Sequence, residues 1–222
     1  MENTIPLSQK LYLLGIHPEK GGIVSSSYSA MNFLLSGAML LELFKNGNIK
    51  FKDKRVVLIH TKTNNATHKF LLDKISAAKS PRRISSWINR FNMSNKKIRE
   101  AVQKGLSEKR IIRMQAKQFL FFKWESPAIM NKSLVYHLVD NVKEQIFRGT
   151  SVEQELILLS FIRPGKLLYR LYPDRQKRHE ANKKLKNLLV DNPVSKSVEE
   201  AIQAAQVVAA SIAVNTAVSA TH

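Results

Sequence analysis

The stretch that decides the fold is Ser94–Trp124, SNKKIREAVQKGLSEKRIIRMQAKQFLFFKW, which joins a basic segment to an apolar one. Ser94 suits a helix N-cap because its hydroxyl can accept from free backbone N–H groups of the first turn. The apolar residues behind it recur at helical spacing and form one stripe: Ile98, Ala101, Val102 and Leu106. The pattern predicts an amphipathic helix over residues 94–106.

Three polar residues of this helix share a face beside the apolar stripe. At 100° per residue, Lys96, Arg99 and Gln103 lie within about 60° of one another. The first turn of a helix has unpaired N–H groups and the positive end of the helix dipole, and both attract anions. The sequence therefore predicts a phosphate-binding site at this helix start.

The second half of the stretch has the composition of a β-hairpin. Arg110–Met114 and Phe119–Phe122 are rich in β-branched and aromatic residues, and the polar segment Gln115–Gln118 lies between them. We expect a hairpin with its tip at Gln115–Gln118 and an unusually apolar second strand.

Charge is the strongest compositional signal of this 222-residue chain. It contains 36 Lys and Arg against 17 Asp and Glu, a net charge of +19, and residues 61–122 alone carry 15 basic and 3 acidic residues. A solvated face is the ordinary explanation of a charge run, but this density favours a polyanionic partner, either nucleic acid or an anionic membrane.

The rest of the chain predicts a mainly α protein, a single multi-helical domain over residues 1–222 around a central helix bundle, with a projecting β-hairpin. Residues 28–45 are apolar on several sides, as expected of the central helix. Further helices are predicted over 5–16, 70–75, 82–91, 131–147, 153–162, 166–171, 175–190 and 196–219, and a small hairpin over 49–59. The interval 201–220 is too polar for a good membrane span and favours a buried helix.

Catalytic patterns are missing from the sequence. It has no cysteine, and none of its six histidines has further ligands at metal-binding spacing. It also lacks a phosphate-binding glycine-rich loop and a Gly-x-Ser-x-Gly elbow. We therefore expect a binding protein with no catalytic residues, metal, cofactor or small-molecule substrate. The N-terminus has no secretory pattern, which predicts a cytoplasmic location.

Two kinds of binding protein fit the helix and hairpin. A winged helix-turn-helix unit would place the basic helix in a DNA groove and the hairpin on the backbone. However, Phe119–Phe122 and Trp124 would make poor phosphate contacts. Such a hairpin better suits burial, self-association or a lipid interface, so nucleic-acid binding is the alternative and membrane binding the preferred hypothesis.

Several segments, in order along nearly the whole chain, resemble the Golgi phosphoprotein 3 family of peripheral membrane proteins that bind phosphatidylinositol 4-phosphate. They are Leu7–Gly15, Gly37–Leu43 followed by Gly47-Asn48-Ile49, Leu71-Leu72-Asp73, Trp87-Ile88 and Lys96–Leu120. The resemblance implies a helical fold around a central bundle. It also implies a hairpin at 111–124 through which copies of the chain associate.

The resemblance implies a headgroup pocket as well. Two basic positions of the family's pocket correspond to Lys96 and Arg99, the pair already singled out by helical spacing. The aromatic position falls on Ser27 and a further basic position on Ser36, and both are departures from the family's pattern. Tyr28, next to the aromatic position, is a candidate substitute.

The family's eukaryotic members carry a basic N-terminal tail, which this sequence lacks before its first predicted helix. We therefore expect a bacterial-type homologue. The expected location is the cytosolic face of a membrane, that of the Golgi if the source is eukaryotic.

Overall fold

The structure, a computed structural model, describes residues 5–192 and 200–204. It is mainly α-helical, with two small antiparallel sheets, as the sequence predicts. The helices are α1 (Leu7–Gly15), α2 (Tyr28–Lys45), α3 (Ala66–Ser76), α4 (Ile84–Asn92), α5 (Asn95–Glu108), α6 (Lys132–Arg148), α7 (Glu153–Ser160), α8 (Leu168–Leu171) and α9 (Arg175–Asp191), with a 3-10 turn at Ser25–Ser27 before α2. The strands are β1 (Ile49–Lys52), β2 (Arg55–Leu58), β3 (Arg82–Arg83), β4 (Ile112–Phe119) and β5 (Phe122–Ile129).

Helix α2 is the centre of the bundle. Its side chains are buried on most sides, and helices α1, α4 and α5 all pack against it. A helix that is apolar around most of its circumference is stable only when other elements cover it, which explains this central place. The absence of a side chain on Gly15 lets the Met31 side chain occupy the space beside α1 that a Cβ would fill.

Helices α4 and α5 follow each other after a short turn. The apolar stripe predicted for α5 is buried at Ile98, Val102 and Leu106. Ser94 does occupy the N-cap position, but the prediction that its hydroxyl caps the helix is wrong, because its side chain makes no capping hydrogen bond. The Ser94 carbonyl instead accepts from the backbone N–H of Ile98.

The β4–β5 hairpin forms where it was predicted, but its tip is elsewhere. The strands pair from Ile112 with Ile129 to Phe119 with Phe122, so the turn is Leu120-Phe121. The predicted tip, Gln115–Gln118, lies within β4. The prediction failed because it assumed a polar turn, whereas this turn is apolar and Leu120 has the left-handed backbone conformation, with φ of 53°.

The other sheet is three short strands in the order β1-β2-β3. Its β1–β2 hairpin was predicted, and it closes through Asp53 and Lys54, which both have positive φ angles as a tight two-residue turn requires. Arg82 and Arg83 were predicted to be helical but pair with β2 before α4 begins at Ile84.

Glu42 joins three elements on the interior side of α2. One carboxylate oxygen accepts from the backbone N–H of Ser8 at 2.7 Å, and the other lies 3.0 Å from Nε2 of His68 on α3. We expect Glu42→Ala to lower the free energy of unfolding by about 2–4 kcal/mol, because it leaves polar groups of both neighbours without a partner away from water. Urea unfolding measures this change.

The matched control is Glu108→Ala, which breaks the exposed pair of Glu108 with Lys104 at 3.9 Å. Exposed pairs contribute about 0–1 kcal/mol, so this variant should unfold almost as the parent does. Equal destabilisation by the two substitutions would contradict the role given to Glu42.

Among the described residues, no helix is both long enough and apolar enough to cross a bilayer. Most of the predicted helix 196–219, and of the interval 201–220, lies outside the described residues, although residues 200–204 are helical.

Candidate functional site

Four of the predicted site residues lie toward one end of the bundle formed by α1, α2 and α5: Ser27, Tyr28, Lys96 and Arg99. Helix α1 runs antiparallel to α2, since Ser8 lies near Glu42 and Gly15 near Met31. It also runs antiparallel to α5, since Gln9 lies against Gly105 while the Tyr12 hydroxyl, one turn later, accepts from Gln103 at 2.6 Å. The N-terminal ends of α2 and α5 therefore lie at the same end, which we call the basic end.

Lys96 and Arg99 are one turn apart at the start of α5. The Lys96 side chain is 83% exposed, and its Nζ lies 4.0 Å from Oε1 of Glu100, the outer limit of an ion pair. An exposed pair of this length is screened and contributes little, so it leaves Lys96 available to another anion. Arg99 is half-buried and forms no hydrogen bond or ion pair with any described residue.

Tyr12 lies beneath this cationic face. Burial raises the pKa of its hydroxyl above the usual value, and the hydrogen bond from Gln103 together with the nearby charge of Arg99 lowers that pKa in part. The hydroxyl is therefore neutral at physiological pH, and Arg99 has no phenolate to pair with.

The three other predicted site residues are Ser27, just before α2, Tyr28 at its start and Ser36 in its middle, and only Tyr28 is accessible. Tyr28, the first residue of the helix, is 64% exposed. Ser27 and Ser36 are fully buried. The Ser36 hydroxyl donates to the Asn32 carbonyl at 2.9 Å, whereas the Ser27 hydroxyl has no hydrogen-bond partner among the described residues. The accessible candidates are thus Lys96, Arg99 and Tyr28.

One cation near this end was not anticipated from the sequence. Arg170 of α8 donates from Nε to the Ile16 carbonyl at 3.2 Å, just beyond the end of α1. Its Nη2 is buried and unpaired within the described part of the chain, and burial lowers the pKa of the guanidinium. No short motif marks Arg170, because 154 residues separate it from its partner.

The hairpin runs back toward the basic end. Strand β4 starts just after the C-terminal end of α5, yet Lys117 donates from Nζ to the carbonyl of Lys20, in the loop that follows α1. The same loop is fixed to β5 by the Gly22 N–H, which donates to the Pro127 carbonyl at 2.9 Å. The tip of the hairpin therefore projects beyond this loop.

The hairpin tip is an exposed apolar cluster. Phe121 is 95% exposed, and its neighbours Phe119, Leu120, Phe122 and Trp124 are also exposed. Exposed aromatic side chains grouped in this way mark a protein or membrane contact. Trp124 pairs across the strands with Lys117, so cationic and apolar groups alternate near the tip.

The basic end of this helical protein thus carries two accessible cations, and the exposed apolar hairpin projects toward the same end. The family model of Golgi phosphoprotein 3 (GPP34) matches residues 7–205 of the chain. The chain therefore belongs to the Golgi phosphoprotein 3 family, as the order of its sequence segments predicted. This family is not known as an enzyme family.

Proposed function

We propose that the protein is a peripheral membrane protein that binds an anionic phospholipid headgroup, of the phosphoinositide type, at the N-terminal end of α5. Family membership favours phosphatidylinositol 4-phosphate as the headgroup. Lys96 and Arg99 bind the phosphate together with the free N–H groups of the first helical turn. Tyr28 provides an aromatic edge, and the buried Ser27 and Ser36 make no direct contact with the lipid.

The observation that carries this proposal is the shared location of two different contacts. The accessible cations of α5 and the apolar hairpin lie toward one end of the molecule, so a single flat surface can meet both. Each cation near an anionic bilayer contributes roughly 1 kcal/mol, and a few inserted apolar side chains add to this. The sum gives reversible adsorption, without a permanent anchor.

Co-sedimentation with vesicles tests the proposal. Phosphatidylcholine vesicles that contain phosphatidylinositol 4-phosphate should bind the protein, and pure phosphatidylcholine vesicles should bind it far less. Because the attraction is largely electrostatic, the bound fraction should fall as salt is raised above physiological ionic strength. Equal binding to both kinds of vesicle would contradict the proposal.

The nucleic-acid hypothesis makes the opposite prediction in the same buffer. Duplex DNA would then bind with a steep salt dependence while the vesicles would not. The exposed phenylalanines at the hairpin tip are the reason that we favour the membrane, because a DNA-contacting wing would present cations there.

A further inference from the structure

A second cationic site lies between the turn after α7, helix α8 and the first half of α9. It is a cleft of about 640 Å³, within the size range of pockets that bind small ligands. Five basic side chains line it: Arg163, Lys166, Arg175, Arg178 and His179. Its described lining contains no carboxylate, so the positive charge is not neutralised inside the cleft.

Helical periodicity explains why α9 contributes so many of these groups. Arg175, Arg178, His179 and Asn182 recur at intervals of three and four residues and so share one face. The opposite wall comes from Arg163 and Lys166, which flank the Pro164-Gly165 turn. The two walls are separate in sequence and meet only because α9 folds back along this turn.

Two guanidinium groups are held in position by the protein itself. Arg178 donates from Nη1 to the carbonyls of Tyr172 and Pro173, at 2.9 and 2.8 Å, and its guanidinium lies 4.5 Å from the centre of the Tyr169 ring. Arg163 donates from Nε to Oδ1 of Asn182 at 2.9 Å.

These contacts leave donors available. An arginine has five N–H donors in a planar fork that matches the oxygens of a phosphate. In the described part of the chain, the remaining nitrogens of Arg163 and Arg178 have no hydrogen-bond acceptor, and none of the five basic side chains forms an ion pair. The cleft is thus arranged for an anion with several oxygens, because its guanidinium groups are oriented before any ligand arrives.

We propose that this cleft binds a ligand with two or more phosphate groups, at a site separate from Lys96 and Arg99. Its chemistry suits either a soluble phosphorylated compound or the phosphorylated headgroup of a lipid. The position of the cleft permits the second source, since the Lys166 carbonyl accepts from the Ser26 hydroxyl at 3.4 Å, beside the start of α2. The basic end and the cleft are therefore neighbours.

The test uses the full chain, with inorganic pyrophosphate as the probe in isothermal titration calorimetry. The double variant Arg163→Gln with Arg175→Gln removes two exposed cations from opposite walls and should weaken pyrophosphate binding by about 100-fold. The control, Lys177→Gln with Lys183→Gln, removes the same charge from two positions of α9 that do not line the cleft and should bind as the parent does. Both variants should keep the parent's thermal unfolding temperature, since all four side chains are exposed.

Two results would overturn the proposal. The first is that the cleft variant binds pyrophosphate as tightly as the parent does, or that the cleft variant and its control lose the same amount of affinity. The other is an equal loss in the variant Lys96→Ala with Arg99→Ala, because the pyrophosphate would then be bound at α5. Comparing the cleft variant with the variant at Lys96 and Arg99 also tests the two proposals separately, because the phosphate site in the cleft can be wrong while the headgroup site at α5 is right, and the reverse.

A vesicle experiment then separates the two sources of phosphate. If the cleft variant also binds more weakly than its control to phosphatidylcholine vesicles with phosphatidylinositol 4,5-bisphosphate, the ligand is a lipid headgroup. If vesicle binding is unchanged while pyrophosphate binding is lost, the ligand is a soluble phosphorylated compound. Both results support the phosphate site.

Discussion

Replacing Lys96 and Arg99 together by alanine is expected to weaken binding to vesicles with phosphatidylinositol 4-phosphate by about 100-fold, since each cation contributes a charge-assisted hydrogen bond. The helical fold should be retained, because Lys96 is largely exposed and Arg99 makes no hydrogen bond to any described residue. Vesicle co-sedimentation measures the affinity, and far-ultraviolet circular dichroism checks the fold.

The chain offers a close control at the other end of α5. Lys104 lies 3.9 Å from Glu108 and is 79% exposed, nearly the same arrangement as that of Lys96 with Glu100. The double variant Lys104→Ala with Lys109→Ala also removes two positive charges, but away from the helix start. If both double variants lose affinity equally, net charge explains the binding and the assignment of a site to Lys96 and Arg99 is wrong.

The second large effect is expected at the hairpin tip. Phe121→Glu combined with Phe122→Glu should reduce vesicle binding by about 100-fold, because burial of each phenylalanine contributes roughly 1.5–3 kcal/mol. The new carboxylates are also repelled by anionic lipids. Stability should change little, as both side chains are exposed in the free protein. A fluorescence or sedimentation titration against the same vesicles measures the loss.

Val190→Glu is the control for this variant. Val190 is 71% exposed on α9, so the substitution adds a carboxylate at an apolar surface position outside the hairpin. It should bind vesicles nearly as the parent does.

Sedimentation velocity of the hairpin variant addresses self-association. If the variant halves the mass of the parent but binds vesicles unchanged, the hairpin joins two copies of the chain and does not enter the membrane.

Local sequence patterns predicted the helices well and the turns less well. The apolar character of residues 28–45 and the stripe of α5 could be read directly, because burial requires those spacings. The turn at Leu120-Phe121 could not, because turn rules assume polar residues and this turn is exposed and apolar. Similarly, no residue next to Arg82 and Arg83 in sequence predicts that they pair with β2.

The same holds for the candidate sites: groups that are close in sequence could be predicted, and contacts between residues far apart in sequence could not. Lys96 and Arg99 could be predicted as a site because they are three positions apart on one helix. The burial of Ser27 and Ser36 depends on how neighbouring helices pack, and this packing is not visible in the serines themselves. The cleft was missed altogether. Arg163 and Asn182 are 19 positions apart and meet only through the turn that returns α9 to this wall.

The two-residue turn of the β4–β5 hairpin has a kinetic consequence. A turn this short presents only a few side chains, so in the proposed membrane-bound state its entry into lipid would reach little deeper than the headgroup layer. We expect the protein to detach rapidly after so shallow an insertion. We therefore expect the dwell time on a vesicle to lengthen steeply with the local density of anionic lipid, which would let the protein sort itself among membranes of different lipid composition.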